Sequence, residues 1–184
     1  MKPDQYYTRG FTLVEMVIVI IVISIMAAVL APIAMTSLSA YNATQADVVV
    51  LDKLRYATER LAREVREVNY DATTGFAFVS MGANSMQFSR DYYDSSGTTS
   101  TATVTIGNTG SAVTLNYSTG GGTQVLTDEL GSITNLVFTY LDANGTALVS
   151  PTATTVYSVR IDLTLRHNNN DYLQRTQVQL KNRL

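Results

Sequence analysis

Residues 11–35 read FTLVEMVIVIIVISIMAAVLAPIAM, and this apolar stretch decides the fold of the chain. Glu15 is its single charged residue, and the 20 residues from Met16 to Met35 carry no charge at all. A helix rises about 1.5 Å per residue, so a run of that length spans roughly 30 Å, the hydrocarbon thickness of a bilayer. The stretch therefore predicts a membrane-length helix.

The helix is predicted to continue beyond the apolar run, from Phe11 to Asn69. No glycine interrupts the chain between Gly10 and Gly75, and Pro32 is the one proline in that interval. From Asp47 onward, apolar residues follow helical spacing, which predicts one buried face. That face is expected to hold Leu51, Leu54, Leu61, Val65 and Val68, with Thr58 in the remaining place.

The remaining faces of this second half are charged and are predicted to be solvated. Glu59 and Arg63 stand four residues apart in the order that favours an ion pair. The other charged residues are Lys53, Arg55, Arg60, Glu64, Arg66 and Glu67.

After Tyr70 the pattern changes to a period of two, which indicates antiparallel strands with one wet face. HNNND at 167–171 and DANG at 142–145 predict hairpin turns, the second between VFTYL and TALVS. DSSGTTSTAT at 94–103 is read as a loop or a ragged edge strand. Strands are predicted at Phe76–Ser80, Ser85–Arg90, Ala102–Ile106, Val113–Tyr117, Gln124–Thr127, Ile133–Leu141, Val156–Arg166 and Tyr172–Leu180.

Composition excludes several classes of protein. The 13 basic and 15 acidic residues give a net charge of −2, which argues against binding nucleic acid through its phosphates. With no cysteine, the chain has neither a disulfide scaffold nor a thiolate zinc site. The single histidine, His167, excludes a pair of histidine ligands and is expected to be exposed in its loop. We predict a protein that is not an enzyme, without a cofactor.

Two acidic pairs have residue types that calcium prefers. They are Asp91 with Asp94, and Asp142 with Asn144. Ordinary turn chemistry explains both pairs better, since Asp and Asn side chains bond to nearby backbone N–H groups. No metal site is predicted.

Two explanations of the N-terminus need no special motif. A secretory signal peptide would be cut near Ala40, but its apolar core is usually about 7–15 residues and carries no acid. A plain signal anchor would use Lys2 and Arg9 to keep the N-terminus in the cytoplasm. Neither explanation gives a purpose to Glu15 or to the Arg-Gly-Phe junction.

The junction Arg9-Gly10-Phe11-Thr12-Leu13-Val14-Glu15, followed at once by the apolar run, resembles the processing site of type IV prepilins and pseudopilins. The resemblance implies that a prepilin peptidase cuts after Gly10 and that the new N-terminal Phe11 is methylated. It also implies that Glu15 pairs with a Phe11 amine and that Pro32 disturbs the helix. More loosely, the charged LAREVREV stretch and the closing KNRL are similar to minor pilins of the mannose-sensitive haemagglutinin type, or to the J-type pseudopilin of type II secretion.

The resemblance also implies an organisation. The fold class is α+β, with a leader at 1–10, a transmembrane and filament-core stem at 11–35, an amphipathic second half at 36–69 and a β-rich domain at 70–184. Before assembly, the chain would cross the inner membrane once, with the β-rich domain in the periplasm. Expected partners are prepilin peptidase, other pilin or pseudopilin subunits, an inner-membrane assembly platform and membrane lipid.

The function expected from the resemblance is structural. The chain would be a minor subunit of a type IV pilus, because it lacks the disulfide-bounded loop of many major pilins. Within the family the alternative is a minor pseudopilin of type II secretion, whose pseudopilus lies in the periplasm. Outside that role, an adhesive pilus subunit and a membrane-anchored sensor domain remain open.

Overall fold

The computed structural model describes residues 10–93, 96–119, 121–127 and 136–180. They form one long N-terminal helix followed by antiparallel sheets, so the α+β class is confirmed. Contacts divide the chain into two compact units, 1–46 and 47–184, with the division inside the helix. The described part of the first unit consists of residues 10–12 and the first part of the helix, and the second unit contains the core.

The helix, α1, covers Leu13–Arg66 and is slightly shorter than predicted at both ends. It begins at Leu13 because Thr12 acts as its cap. It ends at Arg66 because the next two N–H groups bond three residues back, Glu67 to the Glu64 carbonyl at 3.1 Å and Val68 to that of Val65 at 3.5 Å. Such bonds tighten the last turn of a helix and close it.

Within the described residues, ten strands follow in three antiparallel sheets. A small pair joins the first two strands, five strands form a meander in chain order, and the last three form a sheet in the order β10-β9-β8. The strands are β1 Tyr70–Asp71, β2 Gly75–Phe76, β3 Phe78–Met81, β4 Met86–Tyr93, β5 Thr99–Thr109, β6 Ala112–Tyr117, β7 Gly122–Thr127, β8 Leu136–Leu141, β9 Ser158–His167 and β10 Asn170–Gln179.

The core of the 47–184 unit lies between the end of α1 and the two larger sheets. Leu61 and Val65 of the helix are fully buried there, together with Phe88 of β4 and Ile161 of β9. The β3–β4 turn links the sheets, because Phe138 of β8 donates its N–H to the Ala83 carbonyl at 2.7 Å. One continuous core therefore holds helix and sheets together.

The buried helix face differs from the predicted one at Leu51, and it also includes Val50, Ala57 and Glu64. Leu54, Thr58, Leu61, Val65 and Val68 are buried as expected. Leu51 was predicted to join them, but its side chain is 47% exposed, and Val50 takes that place at 1%.

Glu64 was predicted to face solvent, and that prediction is wrong: it is only 1% exposed. Periodicity located the helix but not the width of its buried face, which receives side chains from two sheets. The predicted partner of Glu59 also differs, since Glu59 pairs with Arg55 at 2.9 Å.

Strand positions agree well, with corrections to their bounds. The predicted strand Phe76–Ser80 is two short strands, β2 and β3, that part at Ala77. Gly75 starts β2 at a φ of +84°, and a Cβ there would lie 2.5 Å from the Ala153 carbonyl oxygen, so only glycine fits. The Ser/Thr-rich stretch is not all loop, since residues from Thr99 onward belong to β5 and pair with β4. The first part of Ile133–Leu141 and Asp94 lie outside the described residues.

Both predicted turns are present. Asn168 and Asn169 adopt positive φ values of 47° and 67° between β9 and β10, which is the backbone of a two-residue hairpin turn. At the other turn, Asp142 accepts hydrogen bonds from the N–H groups of Asn144 and Thr146. The return arm, TALVS, is not a strand, because it makes only a single bridge from Ala147 to Leu141.

Candidate assembly segment and buried charge cluster

The start of α1 is built as a capped helix terminus. The N–H of Glu15 donates to Thr12 Oγ1 at 3.3 Å, and the N–H of Met16 donates to the Thr12 carbonyl at 3.2 Å. Thr12 is thus the N-cap, and it satisfies one of the donors that a helix start leaves open. Gly10 and Phe11 lie outside the helix and are exposed, Phe11 at 73%. The structure therefore places Gly10, Phe11 and Glu15 together at an open helix end.

The negative charge of Glu15 lies in the first turn of α1. A helix N-terminus carries a partial positive charge, so a carboxylate is favourable there. The sequence Thr12-Leu13-Val14-Glu15 also has the spacing of a capping box, a signal that our reading of the sequence missed. The position of Glu15 is therefore explained by local helix stabilisation as well as by the motif.

Beyond this cap, the stem carries apolar side chains on all sides of the helix, and these side chains are exposed. Ile20 is 61% exposed, Ile25 62% and Met35 70%. Among the described residues, α1 is the one helix long and apolar enough to cross a membrane, and none of its most apolar window is buried. A helix that is apolar all round belongs inside a bilayer or a protein bundle.

Four hydroxyl side chains in the stem and just beyond it bond to their own helix. Ser24 donates to the Ile20 carbonyl at 2.7 Å, and Ser37 to that of Ile33 at 2.9 Å. Thr36 and Thr44 donate in the same way to the carbonyls four residues before them. These hydroxyl groups are satisfied internally, so they add little to the cost of a dry environment.

Pro32 lies within α1, and the helix is continuous through it from Leu13 to Arg66. Proline has no N–H, so the Ala28 carbonyl has no donor four residues on. The disturbance expected at Pro32 stays a prediction.

A buried charge cluster joins the other end of α1 to the five-stranded sheet. One carboxylate oxygen of Glu64, Oε1, accepts from the Tyr117 hydroxyl at 2.7 Å and forms an ion pair with Arg60 Nη2 at 2.9 Å. The other, Oε2, accepts from Arg90 Nη1 at 2.8 Å. The Tyr117 hydroxyl in turn accepts from Arg60 Nη2 at 2.8 Å, and the Arg90 guanidinium lies 5.6 Å from the centre of the Tyr117 ring.

This cluster raises the pKa of Tyr117 to about 12. Burial is the largest cause, and the hydrogen bond to the Glu64 carboxylate adds to it. The Tyr117 hydroxyl is therefore protonated at neutral pH and keeps its hydrogen bond to Glu64. No pattern in the sequence pointed to this cluster; its one signal was an acid and a base four residues apart.

The other residues considered at the outset have ordinary roles. Asp91 accepts from Asn69 Nδ2 at 2.8 Å and from Thr101 Oγ1 at 2.7 Å, and these bonds lower its pKa. Asp142 closes its turn, as expected from turn chemistry. His167 was expected to be exposed in a loop, but it is the last residue of β9 and is half-buried. In the part of the chain that the structure describes, no three acidic or histidine side chains lie close enough together to hold a metal ion.

Comparison with known protein families supports the interpretation of the N-terminal segment. Residues 7–31 match the family described as the prokaryotic N-terminal methylation motif. No curated protein sequence matches the chain. The matched residues contain the capped helix start and most of the apolar stem. The motif implies processing by prepilin peptidase and assembly with other pilins, in a family of structural subunits. This match supports a type IV pilin-like prepilin at the N-terminal segment.

Proposed function

We propose that the chain is a minor structural subunit of a type IV pilus. The observation that carries the proposal is the methylation motif at residues 7–31, which runs directly into an uncovered apolar helix. Such a helix needs lipid before assembly and the stems of other subunits after it. Both surroundings are dry, so packing and polar pairing, rather than a hydrophobic gain, would favour the bundle.

Processing would separate residues 1–10 from the remainder and leave Phe11 as the methylated N-terminus. The exposure of Gly10 and Phe11 ahead of the helix supports this, because a peptidase needs an accessible and extended junction. Cutting there keeps Thr12 and hence the cap of α1. Mass spectrometry of the N-terminal peptide should find methylated Phe11. A chain that keeps Met1, or that starts after Ala40, would refute processing as a prepilin.

Glu15 would then pair with the amine of Phe11 on a neighbouring subunit. A carboxylate in apolar surroundings is costly unless it is paired, and the amine is the one positive group that processing creates nearby. The pair would set the axial position of each subunit in the filament. Pro32 would loosen the helix there, at a place where neighbouring stems can cover the freed carbonyl.

The apolar helix suggests membrane anchoring before assembly. Lys2 and Arg9 favour a cytoplasmic N-terminus by the positive-inside rule, which would put the β-rich domain in the periplasm. The partners in this arrangement are the peptidase, an assembly platform in the inner membrane, surrounding lipid and other pilin subunits. After assembly, the β-rich domain would lie on the filament surface.

A minor role is supported by the absence of cysteine from the sequence, since many major pilins close a loop with a disulfide. A pseudopilin of type II secretion would carry the same N-terminal motif and is the second candidate. Quantitative mass spectrometry of sheared surface filaments separates the two. A minor pilin should appear there at a small fraction of the main subunit. Its absence from filaments, together with a secretion defect in the deletion strain, would favour the pseudopilin.

A further inference from the structure

A groove of about 230 Å³ opens beside the charge cluster, on the side of the five-stranded sheet that faces α1. Arg60 of the helix and Arg90 of β4 form its charged wall. No acidic side chain lines it among the described residues. The remaining lining residues are Tyr92, Ala102, Tyr117, Thr119, Gly121 and Gln124.

The two arginines keep unused donors in this groove. Of the arginine nitrogens, only Arg60 Nη2 and Arg90 Nη1 contact Glu64, and Arg60 Nη2 also donates to the Tyr117 hydroxyl. In the described part of the chain, Nε and Nη1 of Arg60 and Nη2 of Arg90 have no hydrogen-bond partner. Arg90 Nε is unpaired too, but it is buried and is not counted among the donors of the groove. The side chains are 26% and 23% exposed, so solvent reaches both.

The charge of the cluster is not balanced. Two guanidinium groups surround one carboxylate, which leaves one positive charge at the wall of the groove. Glu64 already accepts on both oxygens and is 1% exposed, so it cannot turn outward to satisfy the remaining donors. Guanidinium groups pair best with planar anions, above all carboxylates.

We propose that this groove binds the side-chain carboxylate of an Asp or Glu on an adjacent pilin subunit. The volume supports a side chain rather than a larger ligand, since pockets for drug-sized molecules are usually about 300–1,000 Å³. Gln124 is exposed on β7, which pairs with β6 alone among the described residues, so the groove lies toward one edge of the described sheet. The proposal rests on the filament role and adds a contact outside the apolar stem.

Gln124→Glu tests the site without removing any member of the charge cluster. The new carboxylate has nearly the same shape, competes for the free arginine donors and repels an incoming acid. Asn116→Asp is the matched control, because it makes the same amide-to-acid change on the same sheet. Asn116 pairs with Thr123 in the register of β6 and β7, and its side chain points to the opposite face from Tyr117.

The first measurement is binding to the full-length chain in neutral detergent, followed by NMR of arginine side chains. Propionate represents the acidic side chain, and propionamide at equal ionic strength is the neutral control. We expect saturable shifts of Arg60 and Arg90 with propionate alone, retained in Asn116→Asp and lost in Gln124→Glu. Equal shifts with both compounds, or none, would overturn the proposal.

The second measurement is recovery of each variant in sheared filaments. Gln124→Glu should reduce recovery by about tenfold or more, because a charge-assisted hydrogen bond is lost, while Asn116→Asp matches the wild type. Normal recovery of Gln124→Glu would overturn the assignment to a neighbouring subunit, even if propionate binds. Absence of the wild type from filaments would instead contradict the proposed filament role.

Discussion

Tyr172 on β10 donates its hydroxyl hydrogen to Asp47 Oδ1 across 2.6 Å, and this bond ties the last strand to α1 where the globular unit begins. The hydrogen bond to Asp47 is also the main cause of a raised pKa for Tyr172. β10 is the last strand in the described chain, and Asp47 is the first residue of the 47–184 unit. The hydrogen bond therefore joins the beginning and the end of that unit.

Tyr172→Phe should lower the thermal midpoint of the full-length chain in detergent, because only the hydroxyl that reaches Asp47 is lost. The fall should be smaller than that caused by removing a core side chain. Tyr93→Phe is the control, since Tyr93 is 78% exposed and should behave like the wild type. An unchanged midpoint in Tyr172→Phe would show that the bond does not hold β10 to the helix.

Leu61→Ala should destabilise the folded chain by about 2–5 kcal/mol, because Leu61 is fully buried between helix and sheets. Leu51→Ala removes the same atoms from a side chain that is 47% exposed, and should change stability by roughly 0.5 kcal/mol or less. Denaturant unfolding followed by circular dichroism measures both. Equal effects would mean that the helix packs with a different face toward the sheets.

Glu64→Ala should cost about 3–5 kcal/mol, because it leaves Arg60 and Arg90 facing each other without their shared carboxylate. Glu64→Gln keeps the shape and some hydrogen bonds, so its loss should be smaller. Glu59→Gln serves as the exposed control, since its pair with Arg55 lies in solvent, and should leave the unfolding midpoint unchanged. Stability unaffected by Glu64→Ala would mean that the cluster contributes nothing to the fold.

Tyr117 should ionise at a higher pH than the exposed tyrosines of the chain, because it is partly buried in the charge cluster. Its pKa is about 12 when folded and 10 when unfolded, so the folded state binds this proton more tightly. The stability contributed by Tyr117 is therefore complete below pH 10 and is lost as pH rises toward 12. The difference in tyrosinate absorbance between the wild type and Tyr117→Phe isolates this titration. A transition near pH 10 would contradict the buried hydrogen bond to Glu64.

Glu15→Leu should separate processing from assembly. Cleavage after Gly10 should continue, since the junction is intact, and membrane insertion should continue, since residues 16–35 are untouched. Recovery in sheared filaments should fail, because leucine cannot pair with a Phe11 amine. Thr12→Ala is a useful comparison: it removes the cap but keeps the charge, and should be recovered better. Normal incorporation of Glu15→Leu would exclude the charge pair.

Periodicity and turn chemistry predicted most of the fold. The helix, the strand positions and the Asn168–Asn169 turn follow from local signals that each segment carries by itself. The predictions of burial are wrong where residues far apart in the sequence determine which side chain is buried. Leu51 and Val50 are adjacent and equally apolar, and only the position of the sheets selects Val50 for burial.

The N-terminal segment was readable because its motif is contiguous, whereas the charge cluster was not. Glu64 looks like any solvated glutamate until Arg90 and Tyr117 arrive from strands β4 and β6, which lie 26 and 53 residues away in sequence. No local pattern contains that information.

The internal hydrogen bonds of the hydroxyl groups between Ser24 and Thr44 bear on how this part of α1 can turn against its neighbours. Because Ser24, Thr36, Ser37 and Thr44 all return their hydrogens to the same helix, none of them demands a fixed neighbour. Rotation of this part of the helix about its long axis would therefore break none of these hydrogen bonds. They leave free which face of the helix meets a neighbour.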